Sequence, residues 1–269
     1  MQVTSLPGSP TGDSDFFYPT GDGRPVGETP AHRDNLLTLC EILGRFYAND
    51  PLVYVSGNMF LYYERGNRLK HLSPDVFVVK GIPKTKLRKA YFTWEEEGKA
   101  PDFVIELTSA STREEDIDDK KRIYRDILGI REYFLFDPYA EYLDPRLQGF
   151  RLDEGKYVSI APLEGRLPSQ VTGLHLEGHG EELRLYNPTT GAWLPTAQEL
   201  LTQVEFQRQR ADAERVRAES ERVRAESERD RAESDRDRAE AELDAATAEN
   251  RRLQEELAEL RRRLGQTEA

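Results

Sequence analysis

The spacing of apolar positions changes several times along this 269-residue chain, and each change marks a different element. Leu36, Leu39, Cys40, Leu43, Phe46 and Tyr47 step by three and four, which predicts an amphipathic helix over about 32–48 that stops near Asn49-Asp50-Pro51. Short β-rich runs follow at 52–56, 59–64 and 74–79, separated by the turn dipeptides Gly57-Asn58 and Gly66-Asn67. Residues 80–100 are polar and read as a loop. A strand over 102–108 then leads through the N-cap hydroxyls of Ser109, Ser111 and Thr112 into a helix expected over 113–128, with Glu114, Glu115 and Asp116 in its first turn and Gly129 at its end. The apolar run 132–137 is the next strand, so strand, helix and strand form a right-handed crossover unit in a mixed sheet. Alternation at 150–152, 157–161, 174–177 and 183–187 predicts further strands or hairpins. Residues 1–30, rich in Gly, Pro, Ser, Thr and Asp, form an extended lead-in that Phe16, Phe17 and Tyr18 are expected to pin to the folded head.

The pattern changes again after Pro195. Residues 205–264 contain no Gly or Pro and are dominated by Ala, Glu, Arg and Leu, which predicts one long helix reaching on the order of 90 Å. Leu243, Ala246, Asn250, Leu253, Leu257, Leu260 and Leu264 step by three and four, placing leucines in a heptad core with Asn250 at an a position. A buried Asn there favours a two-stranded parallel register, so a homodimer through this coiled coil is expected. Carried backwards, the register puts Arg215, Arg222, Arg229 and Arg236 at a and Ala218, Ala225, Ala232 and Ala239 at d, a poor core braced mainly by surface pairs such as Arg224 with Glu228. The competing reading is a single charged helix in solvent. The chain thus divides into a lead-in (1–30), an α/β head (31–195) and a helical tail (196–269).

Charge narrows the function classes. Against 38 basic residues stand 50 acidic ones, a net charge of -12; the tail segment 205–264 contributes -3, leaving -9 elsewhere. A protein that held nucleic acid chiefly by neutralising phosphates would be basic, so strong non-specific binding is excluded. The basic cluster of the head is Lys80, Lys84, Lys86, Arg88 and Lys89, which could touch a phosphate but reads more simply as a solvated loop. The single Cys40 rules out an intramolecular disulfide, the start of the chain shows no basic-then-apolar leader, and no run approaches a membrane span, so a cytoplasmic protein is expected.

The candidate chemistry lies in two Pro-Asp-apolar strands. Glu106 shares one strand face with Val104 and Thr108, while Phe103, Ile105 and Leu107 take the other, and a carboxylate buried there without a partner would be too costly. Asp75 opens the strand 74–79 in the same setting. On neighbouring strands the two acids could hold Mg²⁺ or Mn²⁺ through oxygen, leaving positions for water and phosphate. Lys120, on the apolar side of the following helix, could snorkel its ammonium to the edge or aim it at those acids, and in the second case it would help the attacking water. Asp102, at the start of its strand, reads as a turn contact.

Taken together, DGRPVGETPAH at 22–32, VYVSGNMFLYYERGN at 53–67, SPDVFVVKGIP at 73–83 and PDFVIELTSAST at 101–112, followed by KKRIY and GIREYFLFDP, resemble the Uma-type restriction endonucleases of the PD-(D/E)XK nuclease superfamily over about 20–190. The resemblance implies a restriction-endonuclease-like α/β (α+β) fold, a mixed central sheet flanked by helices, and a metal-dependent endonuclease acting on DNA. It makes Asp75 and Glu106 the metal ligands. The lysine that the superfamily carries two residues after its second acid is replaced by Thr108, and Lys120, with Lys121 as the fallback, takes its place from the helix. Glu28 and His32 belong to the matching lead-in and could reach the cleft, although capping the first helix is the expected role of that segment. The rival function is a silent nuclease-fold scaffold whose coiled coil binds protein partners.

Overall fold

The computed structural model describes residues 17–20, 29–108 and 119–265. In chain order the head contains α1 (Pro30–Phe46), β1 (Val53–Ser56), β2 (Leu61–Tyr62), β3 (His71–Leu72), β4 (Val76–Lys80), β5 (Tyr91–Phe92), a 3-10 turn (Thr93–Glu96) and β6 (Phe103–Leu107). It continues with α2 (Lys121–Asp126), β7 (Glu132–Phe136), β8 (Leu147–Asp153), β9 (Lys156–Ser159), β10 (Leu167–Pro168), β11 (His175–His179), β12 (Glu182–Asn187) and β13 (Ala192–Trp193), before the long α3 (Ala197–Gly265). Contacts divide the chain into two units, Met1–Leu200 and Leu201–Ala269.

The central sheet has the order β1-β4-β6-β7-β8-β9. All of its neighbours are antiparallel except β6 and β7, which run parallel, so the sheet is mixed as expected. Strands β4, β6 and β7 are covered on both faces, which is why they read as almost continuous apolar runs. One face, with Val76, Val78, Phe103, Ile105 and Phe134, packs on Leu36, Leu39, Ile42 and Leu43 of α1 and on leucines of the β10–β13 sheet. The other face sets Phe77, Val79, Val104, Tyr133 and Leu135 against Leu61, Tyr91 and Tyr124. Helix α1 starts two residues earlier than predicted, because Pro30 suits the first turn and the Thr29 hydroxyl accepts the His32 amide at 3.3 Å.

The segment 80–100 is not all loop. It holds β5, which pairs in parallel with β2, and the 3-10 turn. Tyr18 anchors the lead-in against Tyr62, Phe92 and Trp94, whereas Phe17 is exposed and Phe16 lies outside the described residues. At the start of β7, Glu132 is fully buried yet satisfied by Arg151, Ser169 and the amides of Gln170 and Val171.

Helix α3 opens with a capping box: the Thr196 hydroxyl accepts the Glu199 amide at 3.2 Å and Glu199 Oε2 accepts the Thr196 amide at 2.8 Å. Beyond residue 200 the described side chains are exposed. Among the described residues no helix is long and apolar enough to cross a membrane.

Candidate active site

The site follows from strand register. Val76 of β4 pairs with Ile105 of β6, so one step further along the antiparallel ladder Asp75 stands opposite Glu106. Alternation places Asp75 on the face of Phe77, and Glu106 on the face of Val104, so both acids belong to the same side of the sheet. The link is direct as well, since Asp75 Oδ2 accepts the Leu107 amide at 2.7 Å.

Glu106 has no solvent exposure. Its Oε1 accepts the Tyr124 hydroxyl at 2.5 Å and its Oε2 lies 3.1 Å from the Lys120 ammonium, which is itself largely buried. A buried charge is tolerable only when paired and hydrogen-bonded in this way. Burial first, then the charge of Glu106, push the Tyr124 phenol well above its ordinary range, so it acts as a donor and not as a base. Lys121 takes a different direction, with its ammonium 3.3 Å from the centroid of the Phe150 ring. Of the two lysines, Lys120 is therefore the one directed to the acids. Thr108, two residues after Glu106, is buried and its hydroxyl accepts that of Tyr142.

The backbone at Asp75 is held as well. The turn after β1 closes tightly on it, with the Asn58 amide donating to the carbonyls of Pro74 at 2.9 Å and Asp75 at 3.2 Å. That approach needs Gly57, because a Cβ there would sit 2.2 Å from the Asp75 carbonyl oxygen and 2.8 Å from Cys40 Sγ. Burial, and secondarily the Asp75 charge, push the Cys40 thiol up to about 11, which keeps it protonated and unreactive at neutral pH.

His32 follows the less expected of its two roles, lying beside a candidate acid of the cleft. Capping of α1 falls to Thr29, and the His32 ring instead reaches Asp75, its Nε2 lying 3.2 Å from Oδ1. Glu28 and the expected helix start at 113–118 lie outside the described residues. Lys120 and Tyr124, four apart, share a helix face, which is why both reach Glu106. Asp102 makes a cross-strand contact where a turn contact was expected: it accepts the Lys80 amide at 2.7 Å and pairs with Arg131 at 3.4 Å.

The basic loop is largely spent on internal partners. Lys80 donates to the Val171 carbonyl and Lys84 to the carbonyls of Tyr47 and Ala48 at the end of α1. Lys86 and Arg88 converge on Glu96 at 2.8 and 2.9 Å. Burial works to raise the Glu96 carboxyl, but those two cations more than offset it and hold the group below its usual range. Only Lys89 of the cluster carries no such described contact in its favour as a structural residue, and it is exposed.

Among the described residues no three His, Cys, Asp or Glu side chains form a metal-holding group. The two carboxylates on one side of the sheet, Asp75 and Glu106, are the residues that could hold a divalent ion, since Mg²⁺ is usually held by one or two carboxylates with water and phosphate completing its octahedron.

Comparison with known proteins identifies the family. The family model Uma2, described as "Putative restriction endonuclease", matches residues 11–177. One similar solved structure is described as a putative nuclease belonging to DUF820 from Anabaena variabilis ATCC 29413; it is 13% identical, with a TM-score of 0.41, 56% of this chain and 79% of that chain being covered. No curated protein matches the chain. With well over half of its length matched by the family model, the chain belongs to the Uma2 family of putative restriction endonucleases.

Proposed function

We propose that the protein is a metal-dependent endonuclease that hydrolyses phosphodiester bonds in DNA, with Asp75 and Glu106 holding Mg²⁺ or Mn²⁺ and Lys120 serving as the catalytic lysine. The observation that carries this reading is the opposition of Asp75 and Glu106 across β4 and β6, with the Lys120 ammonium on Glu106. When bound, the ion would lower the pKa of a coordinated water and neutralise charge on the phosphate. The chain's own groups set the stage for this. The Leu107 amide and His32 orient Asp75, Tyr124 fixes the Glu106 carboxylate by donating to one oxygen, and the Lys120 ammonium beside Glu106 would supply a positive charge to an attacking water and a phosphate oxygen. The site is served by a chain proposed to act in the cytoplasm as a homodimer joined through α3.

Cleavage of plasmid DNA and of an RNA of equal length, with Mg²⁺ and with a chelator, tests the reading. Chelator-sensitive cleavage of DNA is expected, and its absence at every metal concentration would reject the assignment. The two lysines supply a sharper check. Lys120→Ala is expected to lower kcat by about a hundredfold or more, the scale of a lost transition-state donor, while Lys121→Ala stays within about threefold of the parent, the scale of sub-kcal/mol surface effects. A reversed order would move the catalytic role to Lys121.

A second reading, a non-cleaving scaffold, is favoured by one feature: the basic loop, the evident phosphate-binding candidate in an acidic chain, is turned inward onto Glu96 and backbone carbonyls. The same cleavage assay separates the two.

A further inference from the structure

Helix α3 changes its chemistry near Leu243. From there to its end Leu243, Asn250 and Leu257 occupy a and Ala246, Leu253 and Leu260 occupy d, and each of the four leucines is more than half exposed along the helix. Upstream, the same register sets Arg208, Arg215, Arg222, Arg229 and Arg236 at a, with alanine at d from 211 to 239. The flanking positions there are acidic throughout: Asp212, Glu219, Glu226, Glu233 and Glu240 at e, and Glu214, Glu221, Glu228, Asp235 and Glu242 at g.

We propose that α3 is two devices in one helix: a tip, 243–261, that pairs in parallel register with a second copy of this chain, and a rod, 207–242, that remains a single helix. The proposal rests on the pairing of two copies proposed above and states where that pairing begins.

Charge decides the boundary. In a parallel two-stranded coil each g residue faces the e residue of the next heptad on the partner helix. In the rod this brings Glu221 to Glu226, Glu228 to Glu233 and Asp235 to Glu240 of the other copy, and it stacks arginine on arginine at every a layer. Alanine at d offers little apolar area to offset that repulsion. The rod has its charges already matched within its own helix: Arg210 with Glu214 at 3.5 Å, Arg222 with Glu219 at 3.1 Å, Arg224 with Glu228 at 3.1 Å and Arg238 with Glu242 at 3.6 Å. Such pairs at three and four residues apart support a helix with no partner. At 1.5 Å per residue the rod measures about 54 Å.

In the tip the same geometry becomes favourable. Glu242 faces Thr247, Glu249 faces Gln254, and Glu256 faces Arg261 of the other copy, a complementary pair where the rod has like charges. Asn250 meets its own equivalent only in a parallel, in-register pair; in the antiparallel arrangement, where a faces d, it would lie against alanine or leucine and lose its amide partner. That choice names the occupant as a second copy and fixes its direction.

The test uses two full-length variants with cysteine at the same heptad position, Ala246→Cys in the tip and Ala232→Cys in the rod, the parent chain serving as control for Cys40. Neighbouring d positions of a paired coil come close enough for a disulfide, whereas unpaired rods do not hold that spacing. In a glutathione buffer, Ala246→Cys is expected to cross-link at least tenfold faster than Ala232→Cys, and the parent chain to have the mass of two copies in light scattering. Equal rates at both positions would overturn the division while leaving the pairing intact. A single-copy mass with no cross-link at either position would overturn the pairing and this inference with it. Leu257→Glu is expected to halve the mass without loss of helical signal, and an unchanged mass would also contradict the tip assignment.

Discussion

Glu106→Gln is expected to abolish cleavage, lowering kcat by about a thousandfold or more, the scale on which charge stabilisation contributes at a water-excluded site. The amide keeps the shape of the carboxylate, and its oxygen can still accept from the Tyr124 hydroxyl. It loses the negative charge, and with it both the anionic oxygen proposed to ligate a divalent ion and the partner of Lys120. Removing one member of a buried pair also costs stability, about 3 kcal/mol. A fall in melting temperature alone is therefore no evidence for a catalytic role. The control is Glu132→Gln, which alters the acid at the start of the adjacent strand, just as buried and bound to Arg151 and Ser169. Both variants should lose stability, and only Glu106→Gln should lose metal-dependent cleavage and metal binding by calorimetry. Parallel losses in the two would reduce Glu106 to a structural acid.

The second large effect is expected at Gly57, which makes no catalytic contact of its own. Alanine there would set its Cβ at 2.2 Å from the Asp75 carbonyl oxygen, a contact no relaxation of a side chain can relieve because the obstacle is backbone. Either the β1 turn or the Pro74-Asp75 segment must move, and both share the Asn58 hydrogen bonds. Overpacking of this kind costs about 3 kcal/mol, so the urea midpoint should fall clearly. Displacement of Asp75 should also weaken metal affinity, where a shift of 1 Å costs about a hundredfold in rate. Gly44, beside which a Cβ meets nothing within 4 Å, is the matched control, and Gly44→Ala should be close to neutral in both measurements. Equal behaviour of the two variants would show that the turn does not position Asp75.

The strands that form the site were legible because burial on both faces leaves an unmistakable apolar run, and because Asp75 and Glu106 interrupt those runs at positions where a charge must be compensated. Glu132 shows the limit of that inference. It is an equally buried acid whose compensation is purely structural, and nothing in the local pattern of EYFLF separates it from Glu106. What distinguishes them is the register with β4 and the arrival of Lys120, both of which are long-range facts. The choice between the two roles of His32 was open for the same reason. Its spacing marks the first turn of a helix, but its contact with Asp75 depends on how α1 lies across the sheet, and only Thr29 is needed for the cap. Strands of two residues, such as β3, β10 and β13, are too short to show any period and were missed. The loop reading of 80–100 failed through the same brevity, since β5 contributes only Tyr91 and Phe92 to its sheet. The inward turn of Lys80, Lys84, Lys86 and Arg88 was invisible to composition, which registers the charges and not their partners.

The central claim is that Asp75 and Glu106 jointly hold a divalent ion. Anomalous diffraction from crystals soaked in Mn²⁺ tests it most directly: the account predicts one strong peak within coordination distance, about 2.2 Å, of a carboxylate oxygen from each residue, lost in Glu106→Gln crystals. A peak elsewhere in the head, or none at saturating Mn²⁺, would contradict it.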